Sequence, residues 1–300
     1  MGRRYDTISF LSDLGTTDEF VGVVKAIVRD LAPHATVIDL THHVPSFDVR
    51  AGSLALARAI GHVPAGVVLA AVDAGPDSTR PLVAIEVADG EGVLVGPENG
   101  LLAPAAAMAG GAQRAVLLTN PDFHLQSAGG AFPVRDVLAP VAAHLCAGVD
   151  LADLGAVVEP DTLLPGVVPL PRDAPGGGVV AEVLWVDRVG NCQLNVGLDD
   201  VAPWGAPLRV RLQVQAGDIV RVVERVDHAG ALGAGSIGLV VDPYGMLALA
   251  LERRSAAEEL VLVAGDQVTL TPLPEGDRGP GLTTHLTTHL TTPIAIRPRR

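Results

Sequence analysis

The chain is most constrained by a series of apolar runs that are too continuous for half-exposed strands and too short for helices of their own. Residues 7–11 form such a run, 36–40 read as a second strand, and 66–72 are a third, apolar throughout and ending at Asp73. Between the first two, residues 20–28 carry apolar side chains at helical spacing. After the second, Asp48 opens a helical run through Ala51, Leu54, Ala57 and Ile60. Residues 82–87, 92–95 and 115–118 read as further strands, and 101–108 and 136–147 as further helices. Strands with this character, set between helices, predict an α/β domain whose mainly parallel sheet is covered on both faces.

Within that pattern, Ser12-Asp13-Leu14-Gly15-Thr16-Thr17-Asp18-Glu19 forms a polar turn between a strand and a helix. It therefore falls at the carboxyl end of the sheet, where ligands of open α/β sheets bind. Thr16, Thr17 and Asp18 could cap the helix that follows. Asp13 ends the strand, and a carboxylate there could accept two hydrogen bonds from a vicinal diol such as a ribose. Residue types and spacing leave a ligand-binding role and a purely structural one both open.

Residues 149–177 change character, with five prolines followed by Gly176-Gly177-Gly178. Beyond them come strand-like runs at 179–186, 208–212, 219–223, 238–241, 246–250 and 267–270, separated by turn residues, as in a small antiparallel barrel or sandwich. The expected organisation is an α/β domain over 1–150, a linker over 151–177, a small all-β, barrel-like domain over 178–274 and a low-complexity tail over 275–300. In the tail His285 and His289 recur in a Thr-rich repeat, a composition that favours disorder over a metal site. The 300 residues are 48% hydrophobic and 18% charged, which is globular composition. A formal charge of -13 argues against a nucleic-acid partner. No apolar run is long enough to span a membrane, and the first residues lack the apolar segment of a signal peptide. Cys146 and Cys192 have no metal-like spacing and fit reduced thiols. These features predict a cytoplasmic protein.

Six segments keep their order along residues 7–272 and resemble the S-adenosylmethionine hydroxide adenosyltransferases, relatives of the fluorinases and chlorinases. They are Ser12-Asp13-Leu14-Gly15-Thr16-Thr17-Asp18, Ile38-Asp39-Leu40-Thr41-His42 with Val44-Pro45-Ser46-Phe47-Asp48, Gly96-Pro97-Glu98-Asn99-Gly100-Leu101-Leu102, Ala139-Pro140-Val141-Ala142-Ala143-His144-Leu145, and Val186-Asp187-Arg188-Val189-Gly190-Asn191. The resemblance implies S-adenosylmethionine as substrate, with no further cofactor or metal. It also implies a homotrimer with each site between the large domain of one subunit and the barrel of the next, and attack by water or hydroxide at the ribose 5′ carbon.

Carried over by motif, Asp13 would bind the ribose hydroxyls, Asp18 and Asp187 the methionine ammonium, and Asn191 the adenine edge. Phe47 would pack on the nucleoside, and Asn99 could line the pocket or only turn the chain into a helix. Asp73 and Arg80 match the family's water-handling Asp and Arg, seven residues apart. The halogenases have tyrosine where Asp73 stands, which favours water over halide. Three departures stand out. Pro133 in Phe132-Pro133-Val134-Arg135-Asp136 replaces the family's histidine, with His124 a surface-loop alternative. The loop after Asp73 reads Ala74-Gly75-Pro76-Asp77, and Pro243 replaces a serine of the barrel motif. A hydrolase, a non-turning-over binder of adenosyl nucleosides and, behind both, a halogenase are the functions to separate. His42 and His43, at the end of a strand, are expected to satisfy backbone groups.

Overall fold

The computed structural model describes residues 2–75, 80–126, 132–205, 208–215, 219–233 and 235–273. The tail repeat and the Pro76-Asp77 part of the loop after Asp73 lie outside them. The first sheet contains β1 (Thr7–Ser12), β2 (Thr36–Thr41), β3 (Gly66–Ala71), β4 (Leu82–Val87), β5 (Gly92–Pro97), β6 (Arg114–Leu117) and β7 (Ala156–Val158), in the order β2-β1-β3-β5-β4-β6-β7. β2, β1, β3 and β5 run parallel, while β4, β6 and β7 pair antiparallel.

The central strand β3 is buried along its whole length, and its period of two explains the lack of polar alternation. Val67, Leu69 and Ala71 enter one core layer with α1 (Phe20–Leu31) and α4 (Ala139–Ala147). Val68, Ala70 and Val72 enter the opposite layer, which α2 (Val49–Ile60) and α3 (Ala103–Met108) cover. Asp48 caps α2 as its sequence predicts, its carboxylate accepting from the Ala51 amide at 2.8 Å. The capping expected of Thr16, Thr17 and Asp18 does not occur. Glu19 is the N-cap of α1, in helical conformation, and no side chain closes that end.

The proline-rich stretch carries more structure than its composition indicates. Leu151 and Leu154 of a 3₁₀ turn pack into the first core layer, and β7 follows as the sheet's last strand. Residues 172–174 form β8 (Arg172–Ala174), which pairs with β9 (Gly178–Val186) of the second domain.

There β9, β10 (Cys192–Gly197), β11 (Arg209–Val214), β12 (Val220–Arg225), β13 (Ile237–Val241), β14 (Met246–Leu251) and β15 (Gln267–Pro272) close into a seven-strand barrel. Its pairs are antiparallel except β12 with β13. Short helices α5 (Leu198–Val201) and α6 (Ala256–Leu260) lie between strands. Sequence reading missed β10 because Gln193 and Asn195 are polar yet buried. Asn195 Oδ1 accepts from the Glu182 amide at 2.7 Å and its Nδ2 donates to the Pro169 carbonyl at 3.1 Å.

Helix α2 also docks the barrel. Arg50 pairs with Glu182, and the Arg58 guanidinium lies 4.5 Å from the centre of the Trp185 ring.

Candidate active site

Of the residues singled out from sequence, Asp13, Phe47, Asp73 and Asn99 gather at the carboxyl ends of β1, β2, β3 and β5. Asp13 follows β1, and its amide donates to the Ala71 carbonyl at the end of β3 at 3.2 Å. Its Oδ2 accepts two backbone amides, from Phe47 at 3.0 Å and from Asp73 at 3.1 Å. Both donors hold unusual backbone conformations for residues with side chains, φ 66° at Phe47 and φ 54° at Asp73. Such conformations persist where surrounding contacts enforce them, and they concentrate at functional sites. Here a single carboxylate oxygen pins both loops. Phe47 is 74% exposed and so presents apolar surface to solvent beside the Asp13 contact.

Asn99 closes the β3 side. Its Nδ2 donates to the Val72 carbonyl at 3.1 Å and its Oδ1 accepts the Leu101 amide at 3.2 Å, so its side chain holds the β5–α3 turn onto the residue before Asp73. Asp18 is exposed just ahead of α1, and Arg80 is exposed just ahead of β4.

Asp187 and Asn191 build a different feature, the turn between β9 and β10. Asp187 Oδ1 accepts the amides of Val189 and Asn191, each at 2.9 Å, and Asn191 Nδ2 donates to Asp187 Oδ2 at 2.7 Å. Gly190 takes φ +88°, and a Cβ there would come within 2.1 Å of Ser255 Oγ. No hydrogen bond among the described residues joins this turn to the Asp13 cluster. Within the chain, Asp13, Phe47, Asp73 and Asn99 come together, while Asp187 and Asn191 form a second cluster on the barrel.

At the family's histidine position, Pro133 starts a π-helical turn, Val134–Leu138, that runs into α4. Arg135 makes a two-pronged contact with Asp136, Nε to Oδ1 at 2.6 Å and Nη2 to Oδ2 at 2.9 Å, and this holds the Asp136 carboxyl below its ordinary value. Phe132 packs edge-on against Phe20 at the start of α1, with centroids 5.0 Å apart. His124 is not the exposed loop residue expected. Its Nε2 is buried with no hydrogen-bond partner among the described residues, and burial pushes its pKa down. Its neighbour Leu125 donates to the Asp136 carbonyl at 2.8 Å, which sets His124 beside the π-helical turn.

Ser12 and His42 form a buried pair that the sequence reading did not join. His42 is 4% exposed and bonds to side chains, not to backbone as expected. Its Nδ1 lies 2.8 Å from the Ser12 hydroxyl and its Nε2 3.0 Å from Asp39 Oδ1. Residues 39 and 42 of a regular strand would face opposite ways. A bulge between β1 and β2 inserts Leu40: Phe10 pairs with Asp39 but Leu11 with Thr41. The phase therefore flips, and Asp39, His42, Phe10 and Ser12 share a face. The 4.6 Å edge contact between the Phe10 and His42 rings follows from this.

Among the described residues, no group of three His, Cys, Asp or Glu side chains is placed to hold a metal ion, and no helix is long and apolar enough to cross a membrane. A cavity of about 230 Å³ between α3 and residues 160–165 is lined by Ile85, Leu102, Ala106 and Leu163 and contains none of the clustered groups.

An α/β sheet with polar loops gathered at its strand ends, joined to a closed barrel bearing a second polar turn, defines a two-domain α/β-plus-barrel class of protein. Residues 8–155 match the model of the SAM hydroxide adenosyltransferase N-terminal domain, and residues 181–269 that of its C-terminal domain. The chain belongs to the SAM hydroxide adenosyltransferase family. It is 42% identical to an (R)-S-adenosyl-L-methionine hydrolase of Salinispora tropica, over 88% of this chain and 97% of that one. It is 26% identical to a fluorinase of an Actinoplanes species, over 88% and 97%. Among solved structures, a conserved protein of Thermotoga maritima superposes with a TM-score of 0.80 at 28% identity, over 88% of this chain and 99% of that one.

Proposed function

We propose that the protein hydrolyses S-adenosyl-L-methionine to adenosine and L-methionine. The observation that carries this reading is the Asp13 carboxylate, whose Oδ2 accepts the backbone amides of both Phe47 and Asp73. One bond network thereby ties the family's ribose-binding carboxylate to its water-handling aspartate. In the reaction, water or hydroxide oxygen bonds to the ribose C5′ as the C5′–S bond breaks. Both electrons of that bond stay on sulfur, giving neutral methionine thioether, and the water's second proton leaves to solvent. A sulfonium leaves without a general acid, so the protein's task is to place the nucleophile in line and keep competing water out. Asp73 orients the nucleophile by accepting its hydrogen bond. Arg80 stays charged and acts electrostatically, not as a base.

Asp18 and Asp187 take the methionine ammonium, Asn191 the adenine edge, and Phe47 the nucleoside face. The separation of the Asp13 cluster from the Asp187–Asn191 turn fits a site completed between subunits of a homotrimer. The enzyme acts in the cytoplasm on a small molecule, without metal or further cofactor. The second reading, a binder that does not turn over, is favoured by Pro133, which brings no acid–base group to the family's histidine position. A halogenase is disfavoured by Asp73.

Incubation with S-adenosylmethionine in oxygen-18 water, with and without chloride, separates the three by mass spectrometry of the nucleosides. Labelled adenosine that disappears in Asp73→Asn and falls in Arg80→Ala is the expected result. Bound but unconverted substrate would leave a binding protein, and a halogenated nucleoside would establish the third reading.

A further inference from the structure

The buried pair Ser12 and His42 belongs to a hydrogen-bonded chain that starts at the surface and ends on the two residues that flank Asp13. Lys25 Nζ on α1 donates to Asp39 Oδ2 at 2.5 Å, and Asp39 Oδ1 meets His42 Nε2 at 3.0 Å. Burial on its own raises the Asp39 pKa, but the bonds from Lys25 and His42 outweigh it and hold the carboxyl below its ordinary value. An ionised Asp39 only accepts, so His42 Nε2 carries a hydrogen. With the hydrogen on Nε2, Nδ1 is the acceptor for the Ser12 hydroxyl 2.8 Å away. The Ser12 lone pairs are left to the Leu14 amide, which lies 3.4 Å away.

Asp13 sits between the two ends of that last contact. The same loop is stitched to β2's end by the Gly15 amide on the His42 carbonyl at 2.7 Å and by the Val44 amide on the Ser12 carbonyl at 3.4 Å. The Asp13 side chain therefore projects from a turn held on one flank by the His42 side chain, through Ser12, and on the other by the His42 backbone carbonyl. A buried serine could be satisfied by one backbone carbonyl. A fixed-tautomer histidine, backed by a carboxylate and a lysine, gives a directional constraint instead.

We infer that Lys25, Asp39, His42 and Ser12 form a positioning chain that aims the Asp13 carboxylate at the ribose diol, with His42 as its central positioning residue. The inference rests on the hydrolase reading above, because it assigns Asp13 to the ribose.

The test uses the full-length protein, with adenosine formation for KM and kcat, calorimetry for S-adenosylmethionine affinity, and thermal melts for stability. Ser12→Ala and His42→Gln break the contact between the two residues and should raise KM and the dissociation constant about tenfold while kcat moves by less than about threefold. His42→Asn places an amide oxygen near the Nδ1 position, where it accepts from Ser12 although it no longer reaches Asp39. It should recover most of the lost affinity. Asp39→Ala, on the exposed edge strand, should raise KM about threefold, and it carries the test with Ser12→Ala if His42→Gln fails to fold.

Unchanged KM in Ser12→Ala and Asp39→Ala, with only the melting temperature lowered, would overturn the inference and leave the chain structural. So would a His42→Asn variant no better than His42→Gln. A wild-type protein that neither binds nor converts S-adenosylmethionine instead removes the hydrolase reading, and this inference falls with it.

Discussion

Replacing Asp13 should separate its two tasks, holding the loops and holding the substrate. In Asp13→Ala, the amides of Phe47 and Asp73 lose the oxygen they share at 3.0 and 3.1 Å. Hydrogen bonds to a charged acceptor contribute about 1.5–3 kcal/mol each. Asp13 is half-buried, so water can reach the freed amides, and the lower half of that range applies. The positive-φ conformations at Phe47 and Asp73 cost of order 1–3 kcal/mol each, which those bonds now offset. Alanine should therefore release both loops together. Loss of a bidentate carboxylate–diol contact adds about 3 kcal/mol to the barrier from free enzyme and substrate, roughly 150-fold in kcat/KM. Loop release, by misplacing Asp73, adds to that in kcat.

Asn at position 13 keeps one oxygen for the two amides but loses the charge, which roughly halves each bond. It should fall between wild type and alanine, near tenfold in kcat/KM, with its loops still ordered. Steady-state adenosine production gives the rates, and hydrogen exchange at the Phe47 and Asp73 amides reports the loops. An Asp13→Ala enzyme within threefold of wild type in kcat/KM, or one whose two amides keep their protection, would refute the argument.

Gly190→Ala puts a methyl 2.1 Å from Ser255 Oγ at φ +88°, so the Asp187–Asn191 turn must shift. The barrel should lose about 1–3 kcal/mol in denaturant titration, and substrate affinity should fall with it while hydrogen exchange at the Phe47 amide is unchanged. Acid should remove a stabilising contribution from Asp136: its folded pKa lies below the ordinary 3.8, so the contribution is present above that value and is lost as the pH falls through the lower one. Asp136→Asn should flatten the acid limb of a stability–pH curve, and an unaltered limb would count against the Arg135 contact. Burial pushes the thiols of Cys146 and Cys192 up to about 12, so neither should react with a thiol reagent at neutral pH until the chain is denatured, when both titrate.

How far the sequence discloses this molecule depends on whether information sits in side-chain type or in backbone geometry. The α/β sheet was legible because β3 and its neighbours are buried on both faces and spell that burial as unbroken apolar runs. The barrel was legible for the converse reason, its short strands being set off by turn residues. β10 was not, since Gln193 and Asn195 satisfy their amides against Arg58, Asp242, Glu182 and Pro169, all remote in sequence. β7 was hidden by the prolines around it, although Val157 and Val158 are ordinary strand residues.

The site divides in the same way. Asp13, Phe47 and Asp73 could be named from their motifs, yet the bonds that unite them run from backbone amides, which every residue but proline carries. Nothing in the letters of Phe47 or Asp73 announces a positive φ. The Ser12–His42–Asp39 chain lay further from view, because a one-residue bulge at Leu40 decides whether residues 39 and 42 face each other or face apart. A histidine whose partners are chosen by a bulge reads, in sequence, like any histidine at the end of a strand. The groups that the family motifs single out are therefore visible in the sequence, while those proposed to aim them become visible only once strand register is fixed.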